Sequence, residues 1–202
     1  MHGVLKLRVI VITGTPGVGK TTISKALATK LRALYLSVGD LVKTENLILG
    51  VDVERQTLIA DLKKLRERIN SIIFSSSQDV IVDGHYASDV TSRNLVSYAF
   101  VLRRDPDDLK IKLKEKGFKE LKILENVTSE LLDVCLIDTV NNYGTELVNE
   151  IDVSFMTIDG VINEILTILK GKKTVKVENV DWLSKLEKNG RLGKLLNQIG
   201  KL

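Results

Sequence analysis

Residues 14–21, Gly14-Thr15-Pro16-Gly17-Val18-Gly19-Lys20-Thr21, fit the pattern GxxxxGK[ST], and the chain on either side restricts what they can form. Lys6 to Thr13 (KLRVIVIT) is a β-branched run of the kind that makes a strand. Apolar residues then recur with helical spacing at Ile23, Ala26, Leu27 and Leu31. A strand, a glycine-rich turn and a helix in that order let successive backbone N–H groups curl around phosphate oxygens, with the positive end of the helix behind them. In such a P-loop, Gly17, Val18 and Gly19 are expected to line the phosphates and Lys20 to reach the β- and γ-phosphates. The Thr21 hydroxyl is expected to ligate Mg²⁺, and Thr22 to touch the α-phosphate.

The rest of the chain keeps alternating strand and helix signals. A short strand is expected at Leu34–Leu36, and a long amphipathic helix from Thr57 to Phe74 on the face of Leu58, Leu62, Leu65, Ile69 and Ile72. Asp79–Asp83 (DVIVD) and Leu95–Leu102 read as strands buried on both faces, and Leu147–Phe155 contains a last one. Helices are expected over Pro106–Lys116, Lys119–Tyr143 and Asp159–Leu169, the last capped by Asp159. This order predicts an α/β, three-layer P-loop NTPase fold with a parallel five-stranded sheet and helices on both faces.

Several classes are excluded by simple properties of the chain. At 202 residues it is sized for one compact domain, and no run of about 18 apolar residues could span a bilayer, so no membrane partner is expected. Cys135 is the only cysteine, which rules out an intrachain disulfide or a cysteine-based zinc site and fits a reducing, cytoplasmic setting. The apolar run at the N-terminus leads into the glycine-rich turn rather than a cleavage site, and it reads as the first strand. Residues 171–202 carry eight basic and three acidic side chains, while the preceding 170 residues sum to −1. That basic tail, a segment distinct from a 1–170 P-loop domain, has two open arrangements. It could attract a polyanion or an acidic partner, or Trp182, Leu183, Leu186, Leu192, Leu195, Leu196 and Ile199 could pack on the body and leave the lysines as a solvated face.

Asp83 ends an apolar strand, where a carboxylate can hold Mg²⁺ through water. His85 follows two residues later, where an imidazole could orient or deprotonate a water attacking the γ-phosphate. A purely structural His85 is equally compatible with the sequence. The order of the P-loop, Ser37-Val38-Gly39-Asp40-Leu41, Val82-Asp83-Gly84-His85 and Val101-Leu102-Arg103-Arg104-Asp105-Pro106 resembles nucleoside monophosphate kinases. More closely, it resembles the atypical adenylate kinase family of archaea and eukaryotic nuclei, and Lys116-Gly117-Phe118, Lys122-Ile123, Glu125-Asn126 and Glu130 are similar to that family's short lid and following helix.

The resemblance implies ATP:AMP phosphotransfer with ATPase activity, Mg²⁺ as cofactor, catalytic roles for Lys20, Asp83 and His85, and a metal held by Thr21 and Asp83. It also implies a monophosphate-binding segment over residues 39–65, with Gly39, Asp40 and Arg55 as candidate ligands, and a lid over residues 115–125 that brings Lys116 to ATP. The family carries arginine before the lid glycine, so Lys116 keeps the charge without the bidentate fork. Arg103 falls at a strand end where ligands bind in such sheets, whereas Arg104 reads as exposed. The family's part in small ribosomal subunit maturation implies a ribosomal protein and nearby rRNA as partners, with an ATP-driven assembly factor as the alternative to a kinase proper.

Overall fold

The computed structural model describes residues 7–53, 57–172, 177 and 180–200. Five parallel strands form the central sheet: β1 (Val9–Thr13), β2 (Leu34–Ser37), β5 (Val80–Asp83), β6 (Tyr98–Arg103) and β7 (Val148–Asp152), in the order β2-β5-β1-β6-β7. β1 is central because it is apolar on both faces. Ile10 and Ile12 join Ile81, Phe100 and Leu102 in one core layer, while Val9 and Val11 join Val80, Val82, Ala99 and Val101 in the other.

Helices cover both layers. α1 (Lys20–Leu31), α5 (Pro106–Glu115), α6 (Glu120–Leu131) and α8 (Ile158–Leu169) contribute to the first core; α2 (Val38–Thr44), α3 (Leu62–Ser75), the single turn α4 (Ala87–Val90) and α7 (Val134–Tyr143) contribute to the second. The α/β architecture expected from the sequence is therefore the one found, with a parallel five-stranded sheet between helical layers. No helix is long and apolar enough to cross a membrane among the described residues.

Several boundaries differ from the sequence expectations. The stretch read as one helix from Thr57 begins instead as an antiparallel hairpin, β3 (Ile48–Asp52) with β4 (Thr57–Ala60), and the helix starts only at Leu62, where the Asp61 side chain accepts from Lys64 N at 3.1 Å. Leu58 and Leu62 lie four apart and imitate a helical face, but Leu58 sits on an exposed strand. The helix expected over 119–143 breaks at Leu132–Asp133, because Asp133 adopts φ +57° and the chain turns there between α6 and α7. The cap of α8 is Thr157, whose hydroxyl accepts from Gly160 N at 3.1 Å, and not Asp159. By contrast, α5 starts as its Asp-Pro sequence predicts: Asp105 accepts from Asp107 N at 3.0 Å with Pro106 in the first turn.

The C-terminal segment takes the packed arrangement. α9 (Trp182–Lys188) and α10 (Leu192–Ile199) send Trp182, Leu186 and Leu195 into the first core layer, while Leu183 and Leu196 stay exposed. In the link between these helices, Arg191 pairs with Asp105 at 2.6 Å and also with Asp107 at the start of α5. Lys173, Lys176 and Lys201 lie outside the described residues.

Candidate active site

The loop after β1 is shaped by its glycines. Gly14 has φ +133°, and a Cβ there would collide with the Leu102 carbonyl oxygen of β6. Gly19, at φ +112°, opens α1. Both conformations are ones that side-chain-bearing residues rarely adopt, so the close approach of the loop to β6 depends on glycine. Val18 is fully buried and its backbone is bonded on both sides: its N–H donates to Thr15 O at 3.3 Å and its carbonyl accepts from Arg104 Nε at 3.1 Å.

Lys20 is folded back over the loop, donating from Nζ to the carbonyls of Gly14 at 2.8 Å and Thr15 at 3.0 Å. Burial pulls its ammonium down from the ordinary lysine range, opposed by Cys135, Asp83 and Glu130, while Lys116 adds to the depression. Lys116 at the end of α5 therefore makes its charge felt at the phosphate-loop lysine. The expected lid is short: α5 ends at Glu115 and α6 begins at Glu120.

Thr21 and Asp83 meet at the ends of α1 and β5. The Thr21 hydroxyl donates to Asp83 Oδ2 at 2.8 Å, and Tyr35 of β2 donates to the same oxygen at 2.9 Å. Burial and the Asp83 carboxylate push the Tyr35 phenol up to about 12, so it stays a donor across the working pH range. The other carboxylate oxygen, Asp83 Oδ1, is buried and has no hydrogen-bond partner among the described residues. A buried orphan carboxylate oxygen beside a threonine hydroxyl is a hard oxygen donor set, which suits Mg²⁺ rather than a soft metal. When bound with ATP, that ion would neutralise developing phosphate charge.

His85 follows β5 and is exposed, its ring 3.7 Å from that of Tyr86. Although solvent reaches the ring, the surrounding protein mass is the main force lowering its pKa to about 4, with Lys20 and Lys122 adding repulsion. It is therefore neutral at pH 7. Gly39 and Asp40 are exposed on α2, whose N-cap residue Ser37 pairs in register with Asp83, and a Cβ on Gly84 would press on Val38 at 2.8 Å. The fold thus sets the start of the expected monophosphate segment beside the Asp83 end of β5. Arg55 lies outside the described residues. Thr22 is exposed on the first turn of α1.

Two arginine expectations are corrected. Arg103 does not face a ligand: it is 1% exposed, and it pairs with Glu130 at 2.8 Å and with Glu150 and Asp133. Arg104 is not free on the surface but half-buried, holding Val18 O and Asp108. Tyr35 is absent from the sequence expectations, and Glu130 enters them only as part of the helix after the lid. Tyr35 carried no motif signal, and Glu130 contacts the loop across 115 positions of sequence.

A glycine-rich loop at the end of the central strand, with its lysine above it and a threonine–aspartate pair beside it, defines a P-loop NTPase of kinase-like architecture. Residues 10–133 match the family described as AAA domain, and the chain belongs to that family. Archaeal relatives carry the name "Putative adenylate kinase". This chain is 36% identical to the one from Methanocaldococcus jannaschii over 87% of its own length and 93% of the relative, and 35% identical to the one from Pyrococcus furiosus over 86% and 91%. It is thus a member of this nucleoside monophosphate kinase-like group.

Solved structures agree on the fold. A shikimate kinase from Bacteroides thetaiotaomicron superposes with a TM-score of 0.53 at 19% identity, over 81% of this chain and 98% of that one. A gluconokinase from Sinorhizobium meliloti does so with 0.55 at 16% identity, over 82% and 93%.

Proposed function

We propose that this protein transfers the γ-phosphoryl group of ATP to AMP with Mg²⁺, and hydrolyses ATP slowly when water replaces the acceptor. The observation that carries the reading is the meeting of Lys20, Thr21 and the orphan oxygen of Asp83 at one strand end, next to the open flank of α2. The name shared by relatives that cover most of the chain supports adenylate as the nucleotide.

In the reaction, an AMP phosphate oxygen forms a bond to the γ-phosphorus as the β–γ bridging oxygen departs with ADP, so two ADP result. An AMP dianion needs no base, and the protein's work is positioning and charge neutralisation. Lys20 and Lys116 supply cations on the ATP side. Gly39, Asp40 and Arg55 belong to the acceptor side. Neutral His85 can accept a proton or hydrogen bond from an attacking water, a role confined to hydrolysis.

A second reading is favoured by the commitment of the buried Arg103 to three carboxylates, which leaves that guanidinium unavailable to a second nucleotide's phosphate. There, ATP binding and hydrolysis switch the grip of an assembly factor on a small-subunit ribosomal protein near rRNA, as the resemblance implies. A coupled assay with AMP, CMP, UMP, GMP and no acceptor decides between the two. The kinase reading expects ADP formation at least about tenfold faster with AMP, as a positioned acceptor gains effective molarity over water. A rate indifferent to every acceptor overturns it in favour of the switch.

A further inference from the structure

One buried carboxylate joins the phosphate loop to the far end of the chain. Glu130 of α6 is 1% exposed, and its Oε2 accepts the Thr15 hydroxyl at 2.5 Å. Its Oε1 accepts from Arg103 Nε at 2.8 Å, from Trp182 Nε1 at 3.0 Å and from the backbone N–H of Arg104 at 3.1 Å. The C-terminal segment returns to the same network at Val180, whose N–H donates to Glu150 Oε2 at 3.2 Å, and Glu150 in turn pairs with Arg103. Loop, β6 end, α6 and α9 therefore share acceptors that water does not reach.

Thr15 is the loop's contact with this network, and its carbonyl is one of the two that hold Lys20. To engage a triphosphate, Lys20 must turn at least part of its three donors from the Gly14 and Thr15 carbonyls to phosphate oxygens. The Thr15 peptide then loses a cation, and the anionic phosphate arrives on the other side of the loop. In a low-dielectric interior such a change acts strongly on a neighbouring carboxylate and on the donors that share it. Glu130 already stands among the charges that raise the Lys20 pKa.

We propose that Glu130 is a positioning residue that holds the phosphate loop through Thr15 and holds the C-terminal helices through Trp182, so that nucleotide binding and the docking of α9–α10 are thermodynamically coupled. The coupling rests on a nucleotide occupying the loop and is independent of which acceptor is used. By linkage it is reciprocal: a nucleotide tightens the C-terminal dock, and a loosened dock weakens nucleotide binding by the same factor.

Trp182 is the only tryptophan in the chain, so its emission reports the shared carboxylate without any label. The test titrates the full-length protein with Mg²⁺-ADP, following bound fraction by calorimetry and Trp182 emission in parallel, in the wild type, Thr15→Val and Thr15→Ser. In the wild type the emission is expected to move in step with saturation. Thr15→Val keeps the shape of the side chain but removes the hydroxyl, so it is expected to bind ADP about three- to tenfold more weakly and to lose at least half of the emission response, while Thr15→Ser restores both. Wild-type emission that stays fixed at calorimetric saturation overturns the coupling and leaves the nucleotide site standing, as does a Thr15→Val protein that binds and responds like wild type. No binding heat at all overturns the nucleotide-site reading, and the coupling with it.

Discussion

Tyr35 donates its phenolic hydrogen to Asp83 at 2.9 Å from the neighbouring strand, on the same carboxylate oxygen that the Thr21 hydroxyl reaches. Two donors on Oδ2 fix the plane of the carboxylate and leave Oδ1 turned away from both. Tyr35 thus orients the proposed metal-holding oxygen without touching substrate, as partners of metal ligands commonly do.

Tyr35→Phe removes the phenolic hydroxyl, and with it the bond to Asp83 and the contacts with Ser37 and Thr21. The expected cost is about 1 kcal/mol of folding stability, the usual worth of one such bond. The Mg²⁺ concentration for half-maximal ATP turnover is expected to rise several-fold, at the low end of the roughly 10–100-fold range seen when an orienting partner is lost. Denaturant unfolding and a Mg²⁺ titration of turnover measure the two effects. An unchanged Mg²⁺ midpoint in the folded variant would remove Tyr35 from the site.

Lys20→Ala is expected to leave the fold intact, because among the described residues its ammonium hydrogen-bonds only two loop carbonyls, and to lower ATP turnover by about 10²-fold or more through loss of a preorganised cation. Steady-state turnover alongside a thermal melt checks both halves. Wild-type turnover in a folded Lys20→Ala protein would contradict the nucleotide-site assignment.

The phosphate-loop motif, the acid at the end of β5 and the alternation of strands and helices are legible because each has a local signal: glycines at fixed offsets, an acid closing an apolar run, a change of hydrophobic period. The missed features share the opposite property. Asp133 breaks a helix with neither glycine nor proline nearby, through a positive φ that its pairing with Arg103 accompanies. The β3–β4 hairpin exposes Leu49, Val51, Leu58 and Ile59, so its apolar residues do not alternate with polar ones in the way that announces a half-buried strand. Arg103 looked like a phosphate ligand because its position at a strand end was visible, while the three carboxylates that claim it come from residues 27 to 47 positions away. The burial of Trp182 is one of the two arrangements the sequence leaves open, and the partner that decides it is supplied only by tertiary structure.

His85 carries a pH prediction with a definite sign. Its pKa falls from 6.5 to about 4 in the folded protein, so between those values the unfolded chain takes up a proton that the native state refuses. Stability contributed by this group is therefore present above about 6.5 and lost as pH falls toward 4. An NMR titration of the ring, assigned by its absence in His85→Ala, is expected to show a midpoint near 4. Single-turnover hydrolysis is expected to fall in His85→Ala more than ATP affinity does. If both are unaffected, His85 is structural.

Arg103 is expected to matter for stability and not for substrate contact. Removing it leaves Glu130 and Glu150 buried without their shared cation, and breaking such a buried pair costs about 3–5 kcal/mol. Arg103→Met, close in length and uncharged, should lower the denaturation midpoint by an amount matching that loss. Arg103→Lys should recover part of it, since one ammonium cannot reproduce the fork. A stable Arg103→Met protein with a raised KM for AMP would return Arg103 to the substrate site.

Residues 171–202 separate a structural from a partner-binding role through two variants. Truncation after Lys170 removes Trp182, Leu186 and Leu195 from the core. Loss of the tryptophan alone is worth about 3–5 kcal/mol, so the melting temperature is expected to fall by more than about 10 °C and every activity to decline together. That variant therefore says nothing specific about the lysines. Lys188 and Lys194 are exposed on α9 and α10, and reversing both to glutamate spares the buried residues. If the segment also meets rRNA, Lys188→Glu with Lys194→Glu should melt within about 1 °C of wild type, as surface changes usually do, yet bind single-stranded RNA more weakly. The log–log salt dependence of that binding should flatten by about 0.7 for each phosphate that the variant no longer neutralises. An unchanged slope in the normally melting double variant would leave these lysines as a solvated face over a packed C-terminus.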